Sequence, residues 1–179
     1  TNEIGWTETK FNLIGWDWLH HVLSNKPVMY RIWLSKQQAN ICAVGRNMKR
    51  YGITDDDRCP SCWRNNEKAD HLCRCPSKVR TDLFMENAAE LHKWCQEGDK
   101  TDPELSYWLN KYIIGRGTLS FQELGRMSDD IQSLAISQDV IGWRGLMEGR
   151  ISNKFYYVQS NYLARQQTRF NAEIGRAHV

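Results

Sequence analysis

Apolar residues recur along most of the chain at intervals of three and four, the period of a helix with one buried face. Leu13, Trp16, Leu19, His20 and Leu23 keep that spacing, with Asn12 in place to cap them and Ser24-Asn25-Lys26-Pro27 closing the run. Pro27 suits the start of a second helix, on which Met29, Ile32, Trp33 and Lys36 share a face that Tyr30 and Leu34 widen. Residues 41–50 predict a third, shorter helix cut at Gly52, and residues 1–12 read as an irregular lead-in.

The second half repeats the pattern with clearer punctuation. Ser77 caps a long helix to about Glu97, with Leu83, Phe84, Leu91, Trp94 and Cys95 along one side. Asp102-Pro103 is a capping residue followed by proline, a strong helix start, and Leu105, Trp108, Leu109, Tyr112 and Ile113 form its stripe up to Gly115. Ser120-Phe-Gln-Glu123 is a capping box expected to open a helix carrying Leu124, Met127, Ile131, Leu134 and Ala135. Ile141, Trp143, Leu146 and Met147 predict a short helix ending at Gly149. Ile151, Phe155, Val158 and Tyr162 mark a last one, running to about Thr168. No segment alternates with period two, so the fold class is mainly α, with little or no sheet beyond a small hairpin at residues 59–62.

The stretch that breaks this pattern lies between two helical halves. Around Pro60 and Pro76 stand Cys59, Cys62, His71 and Cys75, at C-x2-C-x8-H-x3-C spacing. Three thiolates and an imidazole close a tetrahedral structural zinc site, with no position left for a substrate water. The H-x3-C spacing fits one turn of a helix and would place both ligands on one face. Cys73 competes with Cys75 for the fourth position. Cys75 is favoured because Cys75-Pro76 repeats Cys59-Pro60. The competing explanation, a cluster of core cysteines, sits poorly with four of six cysteines falling within seventeen residues beside a histidine. That clustering favours metal in a reducing compartment, while Cys42 and Cys95 read as small buried hydrophobes. Arg58, Arg64, Lys68 and Arg74 would help to keep the thiolates ionised. The organisation expected is an N-terminal helical part (1–56), a zinc loop (57–78) and a C-terminal helical part (79–172). Residues 173–179 resemble the translation of a sequencing adapter and read as a non-native tail, which makes His178 a poor ligand.

Charge changes the picture in one region. Residues 31–80 hold eleven Lys/Arg against five Asp/Glu, whereas the whole chain carries a net charge of only +3. A local basic surplus is the footprint of a phosphate-backbone partner. Ile53-Thr54-Asp55-Asp56-Asp57 resembles a polymerase metal motif. It follows Tyr51-Gly52 without a preceding strand, so it reads as a solvated loop that caps a turn. His20-His21 read as packing, most of the eight tryptophans as core, and Trp63 as a cover for the metal site, with base stacking as the alternative. There is no phosphate-binding loop, dinucleotide fingerprint or nucleophilic triad, no apolar run of membrane-spanning length and no signal pattern at the N-terminus.

With these residues in hand, Tyr30-Arg-Ile-Trp-Leu-Ser-Lys36, Met48-Lys-Arg-Tyr-Gly52, Cys59-Pro-Ser-Cys62 and Asp70-His-Leu-Cys-Arg-Cys-Pro76 resemble the zinc-binding region downstream of reverse transcriptase in non-LTR retrotransposon polyproteins. Gln138-Asp-Val-Ile-Gly-Trp-Arg-Gly-Leu-Met-Glu-Gly-Arg150 resembles a segment of related element-derived proteins in unicellular eukaryotes. The resemblance covers residues 28–80 and, more loosely, 138–163, and the crowded Cys73-Arg-Cys75 departs from the family pattern. It implies a non-catalytic accessory module that holds RNA or DNA beside a reverse transcriptase domain of the same polyprotein. Such a module has no small-molecule substrate or membrane partner and is intracellular, nuclear or cytoplasmic. On that analogy the zinc ligands are Cys59, Cys62, His71 and Cys75, and the nucleic-acid face is Arg46, Lys49, Arg50, Arg58, Arg64 and Arg74. The alternative is a zinc-stabilised protein-interaction domain, in which the aromatic helices of 100–165 dock a partner.

Overall fold

The computed structural model describes residues 6–177, with side chains up to Thr168 apart from that of Asp99. The mainly helical class holds: ten α-helices and, among the described residues, no strand. An isolated antiparallel bridge joins Ile14 to Ser152.

The N-terminal part holds α1 (Glu8–Leu13), α2 (Trp16–Ser24) and α3 (Val28–Gln38). α1 replaces part of the expected irregular lead-in, because the Thr7 hydroxyl accepts the Lys10 N–H at 3.2 Å and so caps a turn. α2 starts at Trp16 and not at Leu13. The Gly15 N–H is drawn away to the carbonyl of Ile151 at 3.0 Å, and the Leu13 carbonyl accepts from Asn153 at 2.8 Å. On α3 the expected face is reversed: Met29, Ile32 and Trp33 are exposed while Leu34 and Gln37 are buried. Gln37 fixes this orientation by donating to the Ala69 carbonyl at 3.0 Å. His20 and His21 are exposed rather than packed.

α4 (Gly45–Arg50) begins four residues later than residue 41, the expected start. Val44 is extended (φ −110°, ψ 160°). Cys42 and Val44 are buried with Ala69 in a satellite core, against which the partly buried Leu72 packs. The Asn47 amide holds the run by donating to the carbonyls of Asn40 and Cys42 at 2.9 and 2.8 Å.

Beyond the metal loop come α5 (His71–Arg74), α6 (Lys78–Gln96), α7 (Pro103–Ile114), α8 (Asp129–Ile141), α9 (Trp143–Met147) and α10 (Lys154–Ala177). Ser77 caps α6, and the Asp102 carboxylate caps α7 by accepting from Glu104 and Leu105 at 2.9 and 3.1 Å. The main core joins Leu105 and Tyr112 of α7, Ile131, Leu134 and Ala135 of α8, Trp143, Val158 and Phe121. Each large apolar side chain buried there contributes about 1.5–3 kcal/mol.

The capping box at Ser120 and Glu123 forms, but it opens only a 3-10 turn, Phe121–Leu124, and α8 starts separately at Asp129. Gly125 causes the break: its φ is 156°, and a Cβ there would lie 2.6 Å from the Trp108 ring. α10 runs through the expected boundary at residue 172, and His178 lies outside the described residues. Trp143 is buried, as expected of a core tryptophan, but Trp33, Trp63 and Trp94 are half or more exposed.

Candidate metal centre

The loop closes through its backbone. The Cys59 N–H donates to the Arg64 carbonyl at 2.9 Å and the Trp63 N–H to the Cys59 carbonyl at 2.8 Å. This is a tight turn in place of the expected hairpin. His71 opens α5, and Cys75 follows its last residue at φ −59°, ψ 126°. The two ligands therefore do not share a continuous helix face, and the exit from the helix delivers the second sulfur.

The ligand atoms of Cys59, Cys62, His71 and Cys75 all lie within 4.8 Å of one another. Cys59 Sγ is 3.8 Å from Cys75 Sγ, and Cys62 Sγ is 3.2 Å from His71 Nε2. A tetrahedron with metal–sulfur bonds of about 2.3 Å has edges of about 3.8 Å, so the four residues fit a metal ion. The fourth position belongs to Cys75. Cys73 packs against the main core, and burial raises its thiol pKa.

The tripeptide Cys-Pro-Ser occurs twice, at 59–61 and 75–77, and does the same work in both places. Amide N–H groups of Ser61 and Cys62 face the Cys59 sulfur, and the Ser77 N–H and hydroxyl face that of Cys75. Proline, with no N–H, shapes each turn without adding a competing donor. Burial pushes the Cys59 thiol up to about 11. Burial also works against the Cys75 thiolate, but the Ser77 donors and the Cys62 and Cys59 thiols outweigh it and hold Cys75 down to about 6. The leading support for the Cys75 thiolate thus comes from neutral donors.

Two residues that the pattern did not single out fix the loop to its surroundings. Glu67, 4% exposed, accepts the Gly45 N–H on Oε2 at 2.9 Å. Its carbonyl accepts the Arg46 N–H at 3.2 Å, and its own N–H donates to the Asp57 carbonyl at 2.8 Å. Gly45 is obligatory in this contact, since a Cβ would stand 2.6 Å from the Asp57 carbonyl oxygen. On the other side, Arg116 reaches the loop from the turn after α7. Its guanidinium donates to the carbonyls of Cys73 (2.8 Å) and Cys75 (3.0 Å) and to the Thr81 hydroxyl (3.2 Å). Arg74 answers by donating to the Arg116 carbonyl at 3.0 Å. A Cβ at Gly117 would collide with the Arg74 guanidinium at 2.3 Å. Glycines on both sides of Arg116 were the signal that could have marked it.

The candidate nucleic-acid residues separate into two sets. Arg46, Lys49 and Arg50 lie on α4, and Arg58 and Arg64 on the loop bonded to it. Lys49 Nζ is 3.8 Å from Asp57, while Arg50 and Arg64 are exposed. Arg58 is held by both oxygens of Asp56 at 2.7–2.9 Å and lies 5.3 Å from the Trp63 ring centre. Hydrogen bonds from Arg58 hold the Asp56 carboxyl down to about 2. The acidic run is thus a capped turn, as expected. Arg74 belongs elsewhere: it faces Arg116 and the Trp143 ring, 4.9 Å away.

The second stretch of resemblance, 138–150, is packing. Gln138 accepts the Ser152 N–H at 2.9 Å, and Trp143 donates to the Ile113 carbonyl at 3.3 Å. Buried Glu148 pairs with Arg144 and Arg150. An apolar groove of about 850 Å³ runs between Trp33, Leu83, Phe84, Leu91, Leu109 and Leu146. Among the described residues no helix is long and apolar enough to cross a membrane. Comparison with family models, with curated proteins and with solved structures finds no match to the chain.

Proposed function

We propose that this chain is a zinc-stapled, non-catalytic module that binds RNA or DNA, of the kind found beside reverse transcriptase in retroelement polyproteins. The observation that carries the reading is the joining of two basic elements at the metal site. Glu67, inside the ligand loop, fixes the start of α4 through Gly45 and Arg46. Arg46, Lys49 and Arg50 are therefore held against the loop that carries Arg58 and Arg64. Zinc is the metal that suits three thiolates and one imidazole in a tetrahedron, and four protein ligands leave no position for a reacting water. The role assigned to the metal is to set the geometry of a cationic surface.

Phosphate contacts release counterions, so affinity for mixed-sequence RNA or DNA is expected to fall steeply as salt rises, with a slope of about −0.7 to −0.9 per phosphate contacted. Fluorescence anisotropy of the zinc-loaded protein across a salt series measures this. No binding at low salt, or binding indifferent to salt, refutes the proposal. The apolar groove supports a second reading, a zinc-stabilised domain that docks a protein. On that reading nucleic-acid binding is absent and groove substitutions abolish capture of a protein partner.

A further inference from the structure

We infer that Trp63 is a stacking platform for an unpaired base of single-stranded nucleic acid, an inference that rests on the nucleic-acid reading above. Three independent observations meet at this residue. First, the indole is 65% exposed. It enters neither core cluster, so core packing does not account for a tryptophan there.

Second, its backbone is left-handed, at φ 61°. That conformation belongs to glycine, and for a bulky side chain it is an outlier. The turn needs it, because the Trp63 N–H closes back on the Cys59 carbonyl at 2.8 Å. A glycine would meet the need of the turn without strain, and the chain carries its largest side chain instead. A strained residue that contributes little to packing points to a role at the surface.

Third, the ring is braced by a guanidinium that is itself held in place. Arg58 lies 5.3 Å from the ring centre, and Asp56 holds that guanidinium through bonds of 2.7–2.9 Å. Arg58 lies over the ring, and the remaining exposed indole surface is open to a base. Arg64, the next residue, is exposed. A braced indole over which Arg58 lies, with exposed Arg64 next in the chain, matches the chemistry of single strands, in which bases stack on aromatics and phosphates pair with cations. Bases within a closed duplex offer no face to such a ring.

The test uses the zinc-loaded full chain and a short labelled single strand of mixed sequence, with a closed-circular duplex alongside. Trp63→Gly suits the backbone and is expected to retain metal. It should weaken single-strand binding about 5- to 150-fold, the range set by loss of one stacked base. The salt slope and duplex affinity should stay as in the wild type. Trp63→Phe, which keeps an aromatic face, should bind better than Trp63→Leu, which keeps only bulk. That pair decides the matter if the glycine variant fails to fold. Wild-type single-strand affinity in Trp63→Gly, or equal losses in Trp63→Phe and Trp63→Leu, overturns the inference while leaving the nucleic-acid reading intact. Absence of binding by the wild type overturns both.

Discussion

Arg116 offers the sharpest test of how the metal loop is held. Its guanidinium makes three hydrogen bonds, to the carbonyls of Cys73 and Cys75 and to the Thr81 hydroxyl, at 2.8–3.2 Å. It also lies over the Phe84 ring at 5.0 Å. A hydrogen bond from a charged donor contributes about 1.5–3 kcal/mol. Three from one group do not add fully, and the side chain is only partly buried, so Arg116→Ala should cost about 3–4 kcal/mol. Arg116→Lys keeps the charge but not the planar fork and should cost about 2 kcal/mol, since a single ammonium reaches fewer of the three acceptors. Urea unfolding at saturating zinc measures the cost, and release of zinc to a chelator measures the effect on the site. A loss below about 1 kcal/mol for Arg116→Ala, with zinc release unchanged, would show that the latch is incidental.

Other outcomes follow from the same geometry. Cys75→Ser should abolish stoichiometric metal, whereas Cys73→Ser should retain it, as metal analysis of the two purified variants will read. Gly45→Ala forces a Cβ to within 2.6–2.8 Å of backbone at Asp57 and Arg58. An expected loss of about 1–3 kcal/mol is measurable by thermal or urea unfolding. Asp139→Ala removes the acceptor for the Phe121 and Gln122 N–H groups (2.6 and 3.0 Å) and the Tyr112 hydroxyl. It should destabilise the chain by about 2–3 kcal/mol, whereas an unperturbed melting curve would contradict that role. The Asp56 carboxyl is lowered by its hydrogen bonds to Arg58, so what it adds to the turn is present above its ordinary range near 3.8 and is lost as pH falls through about 2. NMR titration of that carboxyl checks the midpoint.

Helices with local start signals were legible in the sequence. Ser77 and Asp102-Pro103 placed α6 and α7 to within a residue or two, because a cap acts on its own first turn. Of the candidate metal ligands, Cys59, Cys62 and His71 were legible from their spacing, and the repeated Cys-Pro favoured Cys75 for the fourth position. What failed depended on contacts between distant residues. α3 shows its apolar side to solvent because Gln37 is held by Ala69, which no helical period reveals. The capping box at Ser120 stopped after one turn because Trp108 occupies the space beside Gly125. Cys73 and Cys75 were not separable by spacing, since only the bend after α5 turns one sulfur to the metal and the other to the core. Arg116 and Glu67 hold mostly backbone groups, which a sequence marks only indirectly, as by the glycines on both sides of Arg116.

The length of the ligand loop has a consequence for biosynthesis. The sulfurs of Cys59 and Cys75 meet across a separation of 16 residues, whereas the Arg116 bonds to Cys73 and Cys75 span 43 and 41. Closing the shorter loop costs less chain entropy, and metal coordination repays it without any contribution from α7 to α10. As the chain leaves the ribosome, the candidate centre can therefore close on an ion before the C-terminal helices exist.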